Sequence, residues 1–172
     1  MKNLAEMGRR AKKAAENLAL ASSGEKDRGL AAIAATLRAH TEELLAANGR
    51  DTASAAEGGM SRSLLDRLTL DEKRMEDIAA AVEEIIALPD PVGQVDQGSQ
   101  RPNGLSITRV RVPLGVVGII YEARPNVTVD AAALCVKSGN ACILRGGREA
   151  IETNRALAVL MDKALEEAGF PA

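Results

Sequence analysis

The stretch from Val112 to Gly147 alternates apolar runs and polar interruptions so closely that few architectures accommodate it. Val116, Val117, Ile119 and Ile120 form a short β-branched run, the pattern of a strand buried on both faces. The run stops at Tyr121, and Glu122 to Asn126 follows as a polar loop in which Pro125 bars a continuing ladder. Asn126 is placed to act as the N-cap of a helix through Val127, Val129, Ala132, Ala133 and Val136, with Gly139 at its C′ position. Ala141 to Leu144 is a second apolar run, and Arg145-Gly146-Gly147-Arg148 leaves its carboxyl end. Strand, crossover helix and strand make a βαβ unit, which implies a parallel sheet with a right-handed crossover. Open α/β sheets bind ligands outside the carboxyl ends of their strands, where both polar loops fall.

The rest of the chain reads as helices leading to this unit. Residues 1–21 form an amphipathic helix with Leu4, Met7, Ala11, Ala14 and Leu18 near one face and a solvated basic cluster at Arg9, Arg10, Lys12 and Lys13. Ser22 and Glu25 have capping-box spacing, and a helix follows with its stripe running from Leu30 through Leu37 to Leu44 and Leu45. Residues 48–59 suggest a short helix and a turn, and residues 61–68 another short helix. Thr69 and Glu72 repeat the capping-box spacing before a stripe of Met75, Ile78, Ala79, Val82, Ile85 and Ile86, which Pro89 and Pro91 end. Residues 90–112, rich in Gly, Pro, Gln and Asp before the partial alternation of Leu105 to Thr108, read as a hairpin. A last helix spans 150–168, with Leu157, Leu160, Met161, Ala164 and Leu165 facing inward.

Composition narrows the function. With 172 residues, 46% of them apolar but only one Tyr and one Phe, the chain affords one domain whose core is built from Ala, Leu, Val and Ile. A net charge of −2 excludes a global field for nucleic acid. No apolar run approaches the ~20 residues of a membrane span, and the N-terminus lacks the apolar stretch of a signal peptide, so a cytoplasmic location is expected. His40, the single histidine, reads as a surface or boundary residue, and no metal-ligand spacing is present. Cys135 and Cys142 lie on the apolar side of the helix and in the second strand, and both read as inert core thiols.

Beyond these physical readings, the run Pro113-Leu114-Gly115-Val116-Val117-Gly118 resembles the opening of the nucleotide-binding domain of the aldehyde dehydrogenase superfamily. Tyr121-Glu122-Ala123-Arg124-Pro125-Asn126-Val127-Thr128, with Gly139-Asn140 leading to Arg145-Gly146-Gly147, is specifically similar to the gamma-glutamyl phosphate reductase family. The resemblance implies an α/β fold. A helical N-terminal segment precedes a Rossmann-like βαβ unit that is an incomplete part of an NADP(H)-binding domain, with 113–172 as its nucleotide-binding core. Members of the family are longer, and their nucleophilic cysteine lies in a later catalytic domain; no residue here matches it. The implied reaction is reduction of gamma-glutamyl phosphate (L-glutamate 5-phosphate) by NADPH to L-glutamate 5-semialdehyde in proline biosynthesis, with a functional link to glutamate 5-kinase. Residues 90–112 would be an oligomerisation flap, joining copies of the chain through 98–112. Another acyl substrate within the superfamily, or a nucleotide-binding or interaction module without catalysis, are the alternatives.

The same resemblance assigns candidate residues. Arg145 matches a basic residue that contacts the adenine ribose, with Gly146 and Gly147 permitting close approach. Where the wider superfamily has an acidic residue three positions later, this chain has Arg148, whose guanidinium suits a 2′-phosphate. Asn126 is read either as a helix cap or as the amide that stabilises an oxyanion. Relatives carry that asparagine two positions nearer the strand, where this chain has Arg124, itself a candidate for the phosphate or carboxylate of the substrate.

Overall fold

The computed structural model describes residues 4–170; residues 1–3, where the first helix was expected to begin, and Pro171, an expected stop signal of the last helix, lie outside the described residues. Five helices come first: α1 (Leu4–Leu18), α2 (Ser23–Ala39), α3 (Thr41–Glu57), α4 (Arg62–Leu68) and α5 (Glu72–Ala87). An antiparallel hairpin follows, β1 (Val95–Gln100) paired with β2 (Ser106–Val110). The expected βαβ unit is then formed by β3 (Val116–Ile120), α6 (Pro125–Lys137) and β4 (Ala141–Arg145), the two strands parallel with Val116 opposite Ala141 and Ile120 opposite Arg145. A single 3-10 turn at Arg148–Ala150 leads into α7 (Ile151–Glu167).

The core lies where α2 meets α5 and α7, and where α5 meets α6. Leu30, Ile33, Leu37, Met75, Val82, Val129 and Leu157 are buried there, an aliphatic core of the kind the composition requires. The strands depart from expectation, because β3 is not buried on both faces. Val117 and Ile119 are half-buried on the core side, whereas Val116, Gly118 and Ile120 are exposed, Ile120 at 82%. α6 packs against β4, and α1 lies against β4 with a lighter touch on β3; no described element covers the face carrying Ile120.

Local chemistry sets the helix ends. The Ser22 capping box is formed: Ser22 Oγ accepts from Glu25 N at 3.3 Å, and Ser22 N donates to Glu25 Oε2 at 2.7 Å. The second expected box is not. Asp71, not Thr69, caps α5 by accepting Arg74 N at 2.7 Å, while Thr69 ends α4. The long stripe from Leu30 to Leu45 is also divided. The helix breaks at His40, where the ring Nδ1 lies 3.0 Å from Thr36 O and Thr41 Oγ1 donates to Leu37 O and Arg38 O. The expected helix at 48–59 is therefore the end of the longer α3, whose apolar face continues that of α2.

Buried polar groups join the layers. Asp51 of α3 accepts the backbone N–H groups of Glu152 (3.2 Å) and Thr153 (2.8 Å) and the Thr153 hydroxyl (2.7 Å). It thus caps α7 from 102 residues away, satisfying donors that the first turn of a helix leaves open. Asn48, one turn earlier, donates to Leu68 O and Thr153 Oγ1 and accepts Leu70 N. Two lysines are buried as ion pairs: Lys26 with Asp90 at 2.5 Å, and Lys137 with Asp27 at 2.7 Å, where it also donates to Ile86 O at the end of α5. Burial opposes ionisation of Asp90, yet Lys26, the Val92 N–H and Ser23 together hold its carboxyl below the ordinary value.

Asp51→Ala is expected to lower the unfolding free energy by about 2–3 kcal/mol in a urea titration, since it strands three donors, two of them buried. Removal of the exposed Lys163–Glu167 pair should leave the same curve unchanged within error. Because Asp90 is depressed in the folded chain, its contribution is complete above the unfolded pKa and is lost as pH falls through the folded one. Below about pH 4, stability should fall more steeply for the unaltered chain than for Asp90→Asn.

Candidate active site at the strand ends

The carboxyl ends of β3 and β4 bring the two polar loops into contact. Tyr121 N donates to Arg145 O at 3.1 Å, one step beyond the last strand pair. The glycines between the strand and α7 are required by the protein's own packing. A Cβ on Gly146 would collide with Asn154 Nδ2 and come within 3.0 Å of the Tyr121 ring; one on Gly147 would lie 2.9 Å from Ala123 N. Tyr121, Thr128 and Asn154 form a chain beneath them: the phenol oxygen is 2.7 Å from Thr128 Oγ1, and Thr128 Oγ1 is 2.8 Å from Asn154 Oδ1. Burial pushes the Tyr121 phenol above its ordinary pKa, against the opposing effect of the Thr128 hydrogen bond.

Arg124, not Asn126, is the N-cap residue of α6. Its extended backbone (φ −127°, ψ 101°) is the conformation favoured before proline, and Pro125 occupies the first helical position, where a missing N–H costs nothing. Asn126 is therefore inside the first turn. Its amide Nδ2 donates along the helix to Asp130 Oδ2 at 3.2 Å. Burial raises the Asp130 carboxyl above its ordinary pKa, and the Asn126 hydrogen bond only partly offsets this.

The two loops open into different grooves. Arg124, Asn126 and Asp130 line one between α4, α5 and the start of α6, together with Arg67, Arg74 and Asp77. Arg148 lines the other, between α3, the turn at Gly58-Gly59 and the start of α7, with Arg50 and Glu152. The helix α4 lies between them, contributing Leu64 to one groove and Asp66 and Arg67 to the other. Arg145 and Arg148 are both exposed, and neither guanidinium has a hydrogen bond or ion pair among the described residues. Two guanidiniums uncommitted to carboxylates fit a phosphate-bearing ligand, although Glu149 and Glu152 share the Arg148 groove. The amino end of α7 is not free for a phosphate, because Asp51 fills it.

The Tyr121–Thr128–Asn154 chain and Asp130 were missed by sequence reasoning. Only the four-residue spacing of Asn126 and Asp130 carried a local signal. Cys135 is buried and Cys142 half-buried, and their mutual hydrogen bond, together with burial, holds the Cys142 thiol well above its ordinary range. No group of three or more metal-ligating side chains occurs among the described residues, and no helix there is long and apolar enough to cross a membrane.

No family model matches the chain. It is 56% identical to gamma-glutamyl phosphate reductase of Heliobacterium modesticaldum over 164 residues, 95% of this chain and 39% of the relative. Against that of Moorella thermoacetica it is 57% identical over the same shares. The crystal structure of gamma-glutamyl phosphate reductase from Thermotoga maritima superposes with a TM-score of 0.95 at 43% identity, covering 98% of this chain and 41% of that one. A probable aldehyde dehydrogenase from Listeria monocytogenes, 20% identical with a TM-score of 0.70 over 95% of this chain and 33% of its own, shares the fold. The chain thus spans about two-fifths of the length of the curated relatives it matches.

Gly146→Ala should displace Tyr121 and Asn154. In a spectrophotometric titration of the single tyrosine, the phenol is expected to ionise closer to its ordinary pKa, with the melting temperature reduced.

Proposed function

We propose that this chain, which in sequence and fold is similar to gamma-glutamyl phosphate reductases over about two-fifths of their length, is the N-terminal part of such an enzyme and serves the reduction of L-glutamate 5-phosphate to L-glutamate 5-semialdehyde and phosphate in proline biosynthesis. The observation that carries the reading is identity above 50% across nearly the whole chain. The enzyme is an NADP-dependent dehydrogenase of the aldehyde dehydrogenase superfamily. Its reaction begins with a cysteine thiolate, matched by no residue of this chain, attacking the acyl carbon and expelling phosphate to leave a thioester. A nicotinamide cofactor, when bound, supplies the hydride that reduces the thioester to the aldehyde.

The chain's own residues bind and orient. Residues 1–172 are the N-terminal part of the cofactor domain, with 113–172 as its βαβ core. Arg145 would hold the adenine ribose and Arg148 the 2′-phosphate that distinguishes NADPH from NADH, both from the loop that Gly146 and Gly147 let pack against Tyr121 and Ala123. Asn126, its amide oriented by Asp130, is the candidate donor to the oxyanion at the substrate carbonyl. Arg124, at the cap of the same helix, meets the anionic substrate. The hairpin within 90–112 projects, its strands exposed throughout and paired only with each other. Exposed Leu105, Ile107 and Val110 suit it to join copies of the chain through 98–112. A functional link to glutamate 5-kinase follows from the chemistry, since an acyl phosphate is short-lived in water. A cytoplasmic location accords with that reading.

In the protein at its natural length, Arg148→Ala is expected to lose roughly one to two decades of NADPH affinity while NADH binding stays unchanged, the effect of losing charge-assisted bonds to one phosphate. Arg145→Ala should weaken both cofactors. Fluorescence titrations at two ionic strengths check this, the NADPH preference shrinking at higher salt. An unchanged NADPH-to-NADH ratio in Arg148→Ala places the preference on other residues.

A further inference from the structure

The groove between α4, α5 and the start of α6 carries charges of both signs, and most of them are already matched. Arg74 is held by Asp66 and by the carbonyls of Asp66 and Thr69, and Asp77 pairs with Lys73 at 2.6 Å. Three groups are matched only in part. Arg124 Nε lies 2.5 Å from Glu122 Oε1 but off the hydrogen-bond axis, so that buried N–H has no hydrogen-bond partner. Arg67 stands 3.8 Å from the same carboxylate, beyond hydrogen-bond reach. Asp130 gives one carboxylate oxygen to the Asn126 amide, and its other oxygen accepts no hydrogen bond from a described residue. Two guanidiniums that share the single Glu122 carboxylate keep a net positive charge, and together with the open oxygen of Asp130 they match a ligand bearing an ammonium and a carboxylate.

We propose that this groove receives the α-amino-acid head of the substrate, with Asp130 accepting its ammonium and Arg124 and Arg67 facing its carboxylate. The inference rests on the reductase reading, and it decides which end of an acyl phosphate lies here. A phosphate, carrying close to two negative charges, offers no cation to the open Asp130 carboxylate, whereas a zwitterionic head meets each charge with its opposite. The partly buried setting of Asp130, which raises its pKa, strengthens its attraction for a cation that restores its solvation. With the head held by Asp130 and Arg124, the side chain extends past Asn126, the oxyanion donor of the proposed reaction.

The test uses the protein at its natural length and two probes that differ only in the ammonium, L-glutamate and glutarate, titrated by calorimetry. Unaltered protein is expected to bind L-glutamate about tenfold more tightly than glutarate, the worth of one charge-assisted hydrogen bond. Asp130→Asn should abolish that preference while leaving glutarate affinity unchanged, which a merely structural role would not do. Arg124→Ala should weaken both probes together. Equal binding of the two probes by unaltered protein, absence of binding, a preference retained in Asp130→Asn, or competition by inorganic phosphate at this groove would each overturn the proposal. Cofactor-dependent turnover of glutamate 5-semialdehyde is measured alongside. Turnover without an Asp130-dependent preference sinks this inference alone, whereas the preference without turnover sinks the reductase reading and leaves an amino-acid site.

Discussion

The Asp51 carboxylate joins the two halves of the molecule. Nothing in the backbone requires the helical layer that begins the chain to dock against the βαβ unit that ends it. Asp51 supplies a specific reason, because the first turn of α7 has open N–H donors and Asp51 sits among them. Thr153 doubles the connection, donating to Asp51 and accepting from Asn48. Asn48 in turn fixes Leu68 and Leu70, so the position of α4 and the entry to α5 follow from the same cluster. An anionic cap also satisfies the dipole of α7, which elsewhere in α/β proteins is left for a ligand phosphate. Here the protein fills that place itself, and the guanidiniums of Arg145 and Arg148 remain as the open anion partners near the strand end.

What the sequence disclosed follows the range of the interaction responsible. The Ser22 capping box is contained within four residues, and its pattern is visible in the chain. The βαβ unit is legible for the same reason: each strand is a short β-branched or apolar run and each boundary has a Gly or Pro with a conformational role. The break at His40 left no such mark, since the apolar stripe continues from Leu37 to Leu44 across it and the side-chain bonds that open the helix are made by residues ordinary in helices. The two capping errors share one cause. Thr69 and Asn126 are good caps by residue type, but Asp71 stands closer to the turn, and Pro125 takes the first helical position and moves the cap to Arg124.

Longer-range features were beyond reach. Lys26 and Lys137 look like surface residues in any reading of the chain, and their partners Asp90 and Asp27 are identifiable only once α2 lies beside α5 and α6. Removing one partner of such a pair would leave a buried charge, typically a loss of about 3–5 kcal/mol. At the strand ends, sequence reasoning found the loops but not their division. Arg124 and Arg148 sit on loops in contact with each other, yet α4 separates the grooves into which they open. Gly146 and Gly147 were selected for approach to a ligand, whereas the contacts that forbid a side chain there come from Tyr121, Asn154 and Ala123.

The hairpin has a property that the βαβ unit lacks. Its strands bond to each other and to no other strand, and its turn is closed locally by Arg101 N donating to Leu105 O. A residue pair added to or removed from its tip changes the arm's reach by about 3.3 Å and disturbs no register in the body. An inserted residue in β3 or β4 would instead shift every side chain beyond it to the opposite face. Arm length is thus a dimension in which this architecture varies freely.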